Sequence, residues 1–373
     1  MRIVRIANFV TPKSGGLRTA LRHLGAGYER AGHESVLIVP GPAASEEQTE
    51  QGLVITLPGP QVPSMGGYRV LLGRRRTAAL LRDLRPDRIE VSDRTTLRWV
   101  GNWARKRDVP SMMVSHESLD GLLRLFGPGS GRRIADLLNG RTAADYDRIV
   151  CTTRWAAAEF ERIGAPNVTR APLGVDLERF SPALHSAQLR QRWARPDEVL
   201  LLHCGRLSAE KKPRRSLEAV AALRRAGVPA VLVVAGAGPL LPVLQAEASK
   251  RQLPVQFLGY LGDPALLGTL LATADVVIAP GPVETFGLAA LEALASGTPV
   301  VASAESALSE VIGAAGLAAA GEGPDYADAI LELMARPESQ RRRAAREQAE
   351  RFPWAAAVDG FLAAHEATFM PVA

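Results

Sequence analysis

The chain has 373 residues, room for two domains of ordinary size, and its 47% hydrophobic and 23% charged content exclude a disordered chain. Two cysteines, Cys151 and Cys204, exclude a disulfide framework and point to a reducing compartment, and no apolar run reaches the length of a membrane span. The net charge of +6 is unevenly placed: residues 1–184 hold 27 basic and 19 acidic side chains, a balance of +8, against −2 for the rest. Such a basic half suits an anionic partner, whether membrane surface, acidic lipid or nucleic acid, and equally suits ordinary solvated arginines.

The opening "MRIVRIANFV" is too short and too interrupted by arginine for a signal peptide, and "RIVRIANF" reads as a first strand. The loop "VTPKSGG" follows, and Gly15 and Gly16 open a helix that runs through "LRTALRHLGAGYERAG". Glycines there let backbone amides approach a phosphate at a helix N-terminus, though a plain tight turn fits as well. "ESVLIVP", "LVITLP", "RPDRIEVS", "PSMMVSHE" and "YDRIVCTT" continue as strands alternating with helical stretches, the rhythm of a parallel sheet with crossover helices. Between them, "GGYRVLLGRRRTAALLRDLRP" (66–86) combines Arg74, Arg75 and Arg76 with several leucines, as in a basic amphipathic segment on an anionic surface. An ordinary packed helix with arginine on its wet side has the same composition. His116 follows a strand, where a residue of the reaction would stand.

After "PLGVDLERFSP" the rhythm restarts with "EVLLLHCGRL", "AVLVVAGAG", "VQFLGYL", "ADVVIAP" and "TPVVAS". The fold predicted is α/β, two doubly wound Rossmann-like domains with ligands at the carboxyl ends of the strands and in an interdomain cleft. The expected boundaries are 1–180 with a C-terminal helix at about 355–373, and 181–354. In the second domain Arg206 and Lys211 follow a strand and suit a diphosphate. Gly236 and Gly238 follow the next strand and permit close approach of a ligand or a tight turn. The stretch "ETFGLAALEALASGTPVV" raises the main question. It places Glu284 at a helix mouth expected near Thr285 to Gly287, and Glu292 two turns on in a similar sector. Both acids need partners. Carboxylates beside helix N–H groups suit a polyhydroxyl ligand such as a sugar or ribose, or a structural arginine.

The spacing from Glu284 to Glu292 with "FG" inside it, preceded by "GRLSAEK", "GAGP", "SGG" and "PLGVD", resembles the retaining glycosyltransferases of family 4, which have the GT-B architecture. With "EVSDRTTLR" and "VSHESLDG" the likeness extends over nearly the whole chain, to the actinobacterial mannosyltransferases of phosphatidylinositol mannoside synthesis. Among these, it is to the members that add an α-1,6-mannose from GDP-mannose to the dimannoside. The resemblance implies that Arg206 and Lys211 hold the donor diphosphate, Glu284 the hexose 3- and 4-hydroxyls and Glu292 the ribose. It places Thr285, Phe286, Gly287 and Leu288 along sugar and phosphate, Gly16 with Gly15 toward the diphosphate, Gly236 at the donor and His116 near the reacting carbon. It further implies a last helix, 352–369, crossing back to the first domain. No cofactor or metal is expected, and no nucleic acid. The expected partners are GDP-mannose and an anionic glycolipid. The expected protein is a monomer, cytoplasmic and peripheral on the inner face of the cell membrane, with Arg74, Arg75 and Arg76 on the acceptor side. A family-4 enzyme with another donor and a soluble acceptor, a nucleotide-sugar epimerase and a non-catalytic binding protein stand as alternatives.

Overall fold

The computed structural model describes residues 1–10, 15–62, 67–124 and 131–367. Residues 11–13 of the first loop, Ser14 of "SGG", Gly66 of the 66–86 segment and residues 368–369 of the expected last helix lie outside this set. Two compact units divide the chain, Met1–Gly174 with Trp354–Ala373, and Val175–Pro353. The first break falls before the expected residue 180 because Val175 already pairs with Pro353 and donates its N–H to the Phe352 carbonyl at 2.9 Å.

In the first unit β1 (Arg2–Ile6), β2 (Glu34–Gly41), β3 (Ser45–Thr49), β4 (Gly52–Pro58), β5 (Arg88–Val91), β6 (Ser111–Ser115), β7 (Arg148–Cys151) and β8 (Val168–Arg170) form one sheet, ordered β3-β4-β2-β1-β5-β6-β7-β8. All neighbours are parallel except β3 on β4. Ile3, Val4 and Ile6, Val36 and Ile38, Ile89 and Val91, and Met112 to Val114 are buried, as expected of strands covered on both faces. Strand order reverses between β1 and β5. The carboxyl ends of these two strands, where Ala7 and Ser92 follow, are therefore the switch point at which such sheets take ligands.

The last helix, Trp354–Glu366, packs on the helix Gly16–Arg30 of this unit. A Cβ built on Gly27 would stand 2.2 Å from Val358 Cγ2, so only glycine admits this approach. Trp354 stacks on His23 with ring centroids 4.5 Å apart. The Glu90 carboxylate accepts from Tyr28 Oη at 2.8 Å and lies 3.3 Å from His365 Nε2, while Arg88 Nε donates to the His365 carbonyl at 2.8 Å. Burial alone would raise the Glu90 carboxyl, but His365, Arg5 and Tyr28 outweigh it and hold it below its ordinary value.

In the second unit β9 (Val199–Cys204), β10 (Ala230–Ala235), β11 (Val255–Gly259), β12 (Val276–Ala279), β13 (Val300–Ser303) and β14 (Leu317–Ala319) form a parallel sheet ordered β11-β10-β9-β12-β13-β14. Its order reverses between β9 and β12, so the loops leaving these two strands flank the crevice of this sheet. No helix among the described residues is long and apolar enough to cross a membrane.

Candidate active site

The loop after β9 carries Arg206 and then a 3₁₀ turn, Ala209–Lys211; the loop after β12 carries Glu284. Adjacent strands bring the two loops together. Lys211 Nζ is ion-paired and hydrogen-bonded to Glu284 Oε1. Gly281 lies against both: a Cβ there would be 3.5 Å from Lys211 Cα and 3.4 Å from Glu284 Oε1. The Glu284 carbonyl accepts the Ala307 amide at 2.9 Å, which ties the loop to the segment after β13. Arg206 is half-buried, and its guanidinium is shifted below its ordinary value by desolvation, with Glu210 opposing.

Two expectations about this stretch need correction. The helix begins at Leu288, with Gly287 as N-cap at φ +79°. A Cβ at Gly287 would stand 2.1 Å from Leu308 Cδ2, so glycine is needed for both conformation and space. Glu284 thus lies in the loop, and no helical sector relates it to Glu292. Glu292 sits half-buried between Leu291 and Ala293, both buried. Desolvation lifts its carboxyl to about 7, with Arg179 opposing. A carboxyl in that range both donates and accepts near neutral pH. The approach that Gly236 permits is to a neighbouring loop: a Cβ there would be 1.8 Å from the Gly205 carbonyl oxygen, and Leu207 N–H donates to the Ala237 carbonyl at 3.0 Å. Arg215, in the helix Arg214–Arg225 that follows the Lys211 turn, is buried. Its Nη2 holds Glu322 at 2.8 Å and its Nη1 reaches the Pro280 carbonyl at 3.4 Å, bracing the loop that carries Glu284.

In the first unit Gly15 caps and Gly16 opens a helix of 15 residues with no acid in its first turn and no side-chain cap. Its positive end stays uncompensated by the helix's own side chains. His116 directly follows β6. Burial lowers its imidazole to about 4, with Arg94 lowering it further and Glu90 opposing, so the ring is neutral at pH 7. The segment after His116 is fixed by an acid that sequence reasoning passed over. Glu159, buried, accepts from Ser118 Oγ at 2.5 Å, Leu119 N at 3.2 Å, Asp120 N at 3.3 Å, Asn139 Nδ2 at 3.2 Å and Arg94 Nη1 at 3.4 Å. Asp93 likewise gathers Asn8 Nδ2 at 2.9 Å, Thr95 N at 2.7 Å and Thr96 Oγ1 at 2.5 Å.

A charged cluster at the switch point of one sheet, and at the other a helix N-terminus at the switch point with a neutral histidine after the next strand but one, mark two candidate ligand edges. Residues 186–352 match the family model "Glycosyl transferases group 1" and residues 15–175 match "Glycosyl transferase 4-like domain". The chain is 50% identical over 367 residues to the GDP-mannose-dependent alpha-(1-6)-phosphatidylinositol dimannoside mannosyltransferase of Mycobacterium tuberculosis, covering 97% of this chain and 95% of that protein. The chain belongs to this family of glycosyltransferases. It is also 37% identical over 243 residues to a D-inositol 3-phosphate glycosyltransferase of Saccharomonospora viridis, over 60% of this chain and 56% of that one. Sucrose-phosphate synthase from Thermosynechococcus elongatus shares its fold, with a TM-score of 0.76 at 21% identity over 96% of this chain and 97% of that one. The fold is GT-B, and the protein is an enzyme, a glycosyltransferase.

Of the two forms open to the 66–86 segment, the structure of the transferase has the packed helix with arginine on its wet side. The helix spans Arg74–Leu84, and Arg74, Arg75 and Arg76 are exposed in its first turn. The apolar residues of the segment turn inward: Val70, Leu71 and Leu81 are buried, and Leu80 and Leu84 pack on the core. Only Leu72, 59% exposed, faces water among its large apolar side chains. The segment is a basic surface with its apolar face already used.

Proposed function

We propose that this glycosyltransferase moves mannose from GDP-mannose, with retention, to a phosphatidylinositol mannoside through an α-1,6 linkage. The observation that carries the donor half is the joining of Lys211 and Glu284 across the β9/β12 switch point. An ammonium has three donors, so one engaged by Glu284 leaves two for phosphate oxygens. Lys211 and Arg206 take the diphosphate, Glu284 the hexose hydroxyls and Glu292 the ribose. The amides of Thr285, Phe286, Gly287 and Leu288 lie along sugar and phosphate, with Gly236 shaping the neighbouring loop. In this reading unit Val175–Pro353 serves the donor and unit Met1–Gly174 the acceptor. Gly15 and Gly16 offer amides to anionic oxygen, His116 stands at the reacting carbon, and Arg74 to Arg76 face the lipid. Leaving diphosphate is stabilised by fixed charge and N–H dipoles, with no metal assigned a part. The acceptor rests on what the M. tuberculosis relative is named for.

The test is to incubate the protein with GDP-mannose, GDP-glucose and UDP-glucose, with a phosphatidylinositol mannoside in vesicles or a soluble inositol phosphate, with and without EDTA. GDP release with mannosylated lipid, undiminished by EDTA, is expected. Transfer only from the UDP sugar, or only to the soluble acceptor, overturns the donor or acceptor half respectively.

A further inference from the structure

The helix Gly131–Asp145 joins β6 to β7, so its first turn lies at the sheet edge that carries His116. One side of it is core: Ala135, Asn139 and Thr142 are buried. On the opposite side Arg133, Leu137 and Arg141 succeed one another at intervals of four residues with Ile134 beside them, a single continuous face. Leu137 is 55% and Ile134 48% exposed. With Leu72 they are all the exposed large hydrophobics of the first unit among the described residues, and all three sit beside exposed arginines. The acids of this helix do not neutralise the face. Asp136 is held by Arg162, whose Nε donates to it at 2.9 Å, and Asp145 by Arg98 at 3.1 Å.

We propose that the face Arg133–Ile134–Leu137–Arg141 is where the enzyme docks on an anionic phospholipid surface, the two apolar side chains entering the headgroup boundary and the two guanidinium groups pairing with lipid phosphates. Exposed leucine and isoleucine between unpaired arginines are the composition of an interfacial helix, here borne on a helix whose other side is fixed to the core. The Arg74–Leu84 helix, its apolar side spent on packing, contributes attraction at a distance and no insertion. This assignment rests on the lipid-acceptor reading for its biological sense and is independent of it in its test.

The test is sedimentation with vesicles of phosphatidylcholine, with and without phosphatidylinositol, over a range of salt. Wild-type protein is expected to bind the anionic vesicles. Ile134→Ser/Leu137→Ser is expected to lose about tenfold in binding, at low and high salt alike, with GDP affinity retained as the check on folding. Arg133→Ser/Arg141→Ser is expected to lose roughly 30-fold at low salt and much less at high salt. Wild-type vesicle binding by the Ile134/Leu137 variant overturns the proposal. So does a wild-type dimer, in the absence of vesicles, that this variant dissolves, because the face then belongs to a second copy. Vesicle binding through this face without transfer to any lipid leaves the docking surface standing and removes the acceptor reading; lipid transfer by a variant that binds and works as wild type does the reverse.

Discussion

The two candidate edges are built on the same topology and hold their charges in opposite ways. At the first unit's edge two acids are saturated: Glu159 gathers five donors and Asp93 is ringed by Asn8, Thr95 and Thr96. At the second unit's edge Glu284, Lys211, Arg206 and Glu292 are each half-buried. There the geometry is set by backbone: glycines at 236 and 287 let loops approach, and the Glu284 carbonyl is tied to Ala307. A carboxylate with many protein donors is a structural tie. One with a single ammonium partner, on a loop fixed through its main chain, keeps acceptor capacity for a ligand. Polar groups of the two edges should therefore fail differently when removed.

Glu284→Ala should give the largest loss of activity, on the order of 10²–10³-fold in both kcat and kcat/KM, with an unchanged melting temperature. The loop stays in place because, besides the half-buried Lys211 pair, it is tied through the Ala307 amide and Arg215. Steady-state kinetics beside thermal denaturation would decide it; a variant that melts early but turns over normally would place Glu284 with the structural acids.

Glu159→Ala should do the opposite. It leaves the buried Arg94 without its counter-charge and strands two backbone amides, a cost of about 3–5 kcal/mol in chemical denaturation. Glu159→Gln keeps an acceptor oxygen and should recover part of that. It should still lower kcat with the KM for GDP-mannose unaltered, because the segment it fixes begins two residues after His116. Wild-type stability and kcat in both variants would show that the Ser118–Asp120 turn holds itself.

Arg206→Ala and Lys211→Ala should each weaken GDP binding by roughly 10- to 150-fold in calorimetry, the equivalent of a charged hydrogen bond of about 1.5–3 kcal/mol. Their kinetics should differ. Lys211→Ala also releases Glu284, so transfer should fall further than GDP affinity, whereas in Arg206→Ala the two should fall together. Equal behaviour of the two variants would deny the Lys211–Glu284 pair a part in the reaction.

The unequal construction also explains what was legible in the sequence. Most of the strands stand out as apolar runs because both sheet faces are covered. The strand β3, "SEEQT", has no apolar residue: four of its five positions are exposed at a sheet edge. β14, "LAA", is too short to signal. The second unit's edge is legible because its residues cluster in short loops after strands, so that Arg206 and Lys211, and Glu284 with Gly287, sit within a few residues of each other. At the first unit's edge Gly15, Gly16 and His116 are legible but the acid network is not, because Glu159 and Arg94 come from elements 65 residues apart. A glutamate on a helix between Ala158 and Phe160 reads as a surface acid until the fold turns it inward. The 66–86 segment misleads for a related reason: composition gives an amphipathic helix but not whether its apolar side meets lipid or core.

Glu292 offers the smallest effect and the finest division between the two kinds of acid. Its carboxyl is raised from an ordinary 4.5 to about 7, so the folded chain holds a proton that the unfolded chain has released between those values. The folded state binds more protons in that window, and the contribution of Glu292 to stability therefore falls as pH rises from 4.5 to about 7. His116 and His203 act in the opposite sense. Burial lowers both from 6.5 to about 4, so their contribution rises over that interval, and the total curve does not isolate the carboxyl. The difference between wild type and Glu292→Gln does. The variant should be more stable than wild type above about pH 7 and close to it near pH 4.5, the gap opening across the window between. GDP should narrow the gap, since ribose hydroxyls that donate to the carboxylate favour its charged form. Melting curves at several pH values, with and without GDP, measure both effects. A gap independent of pH would return Glu292 to the company of fully paired acids such as Glu159, and a gap that GDP leaves untouched would take the ribose from it.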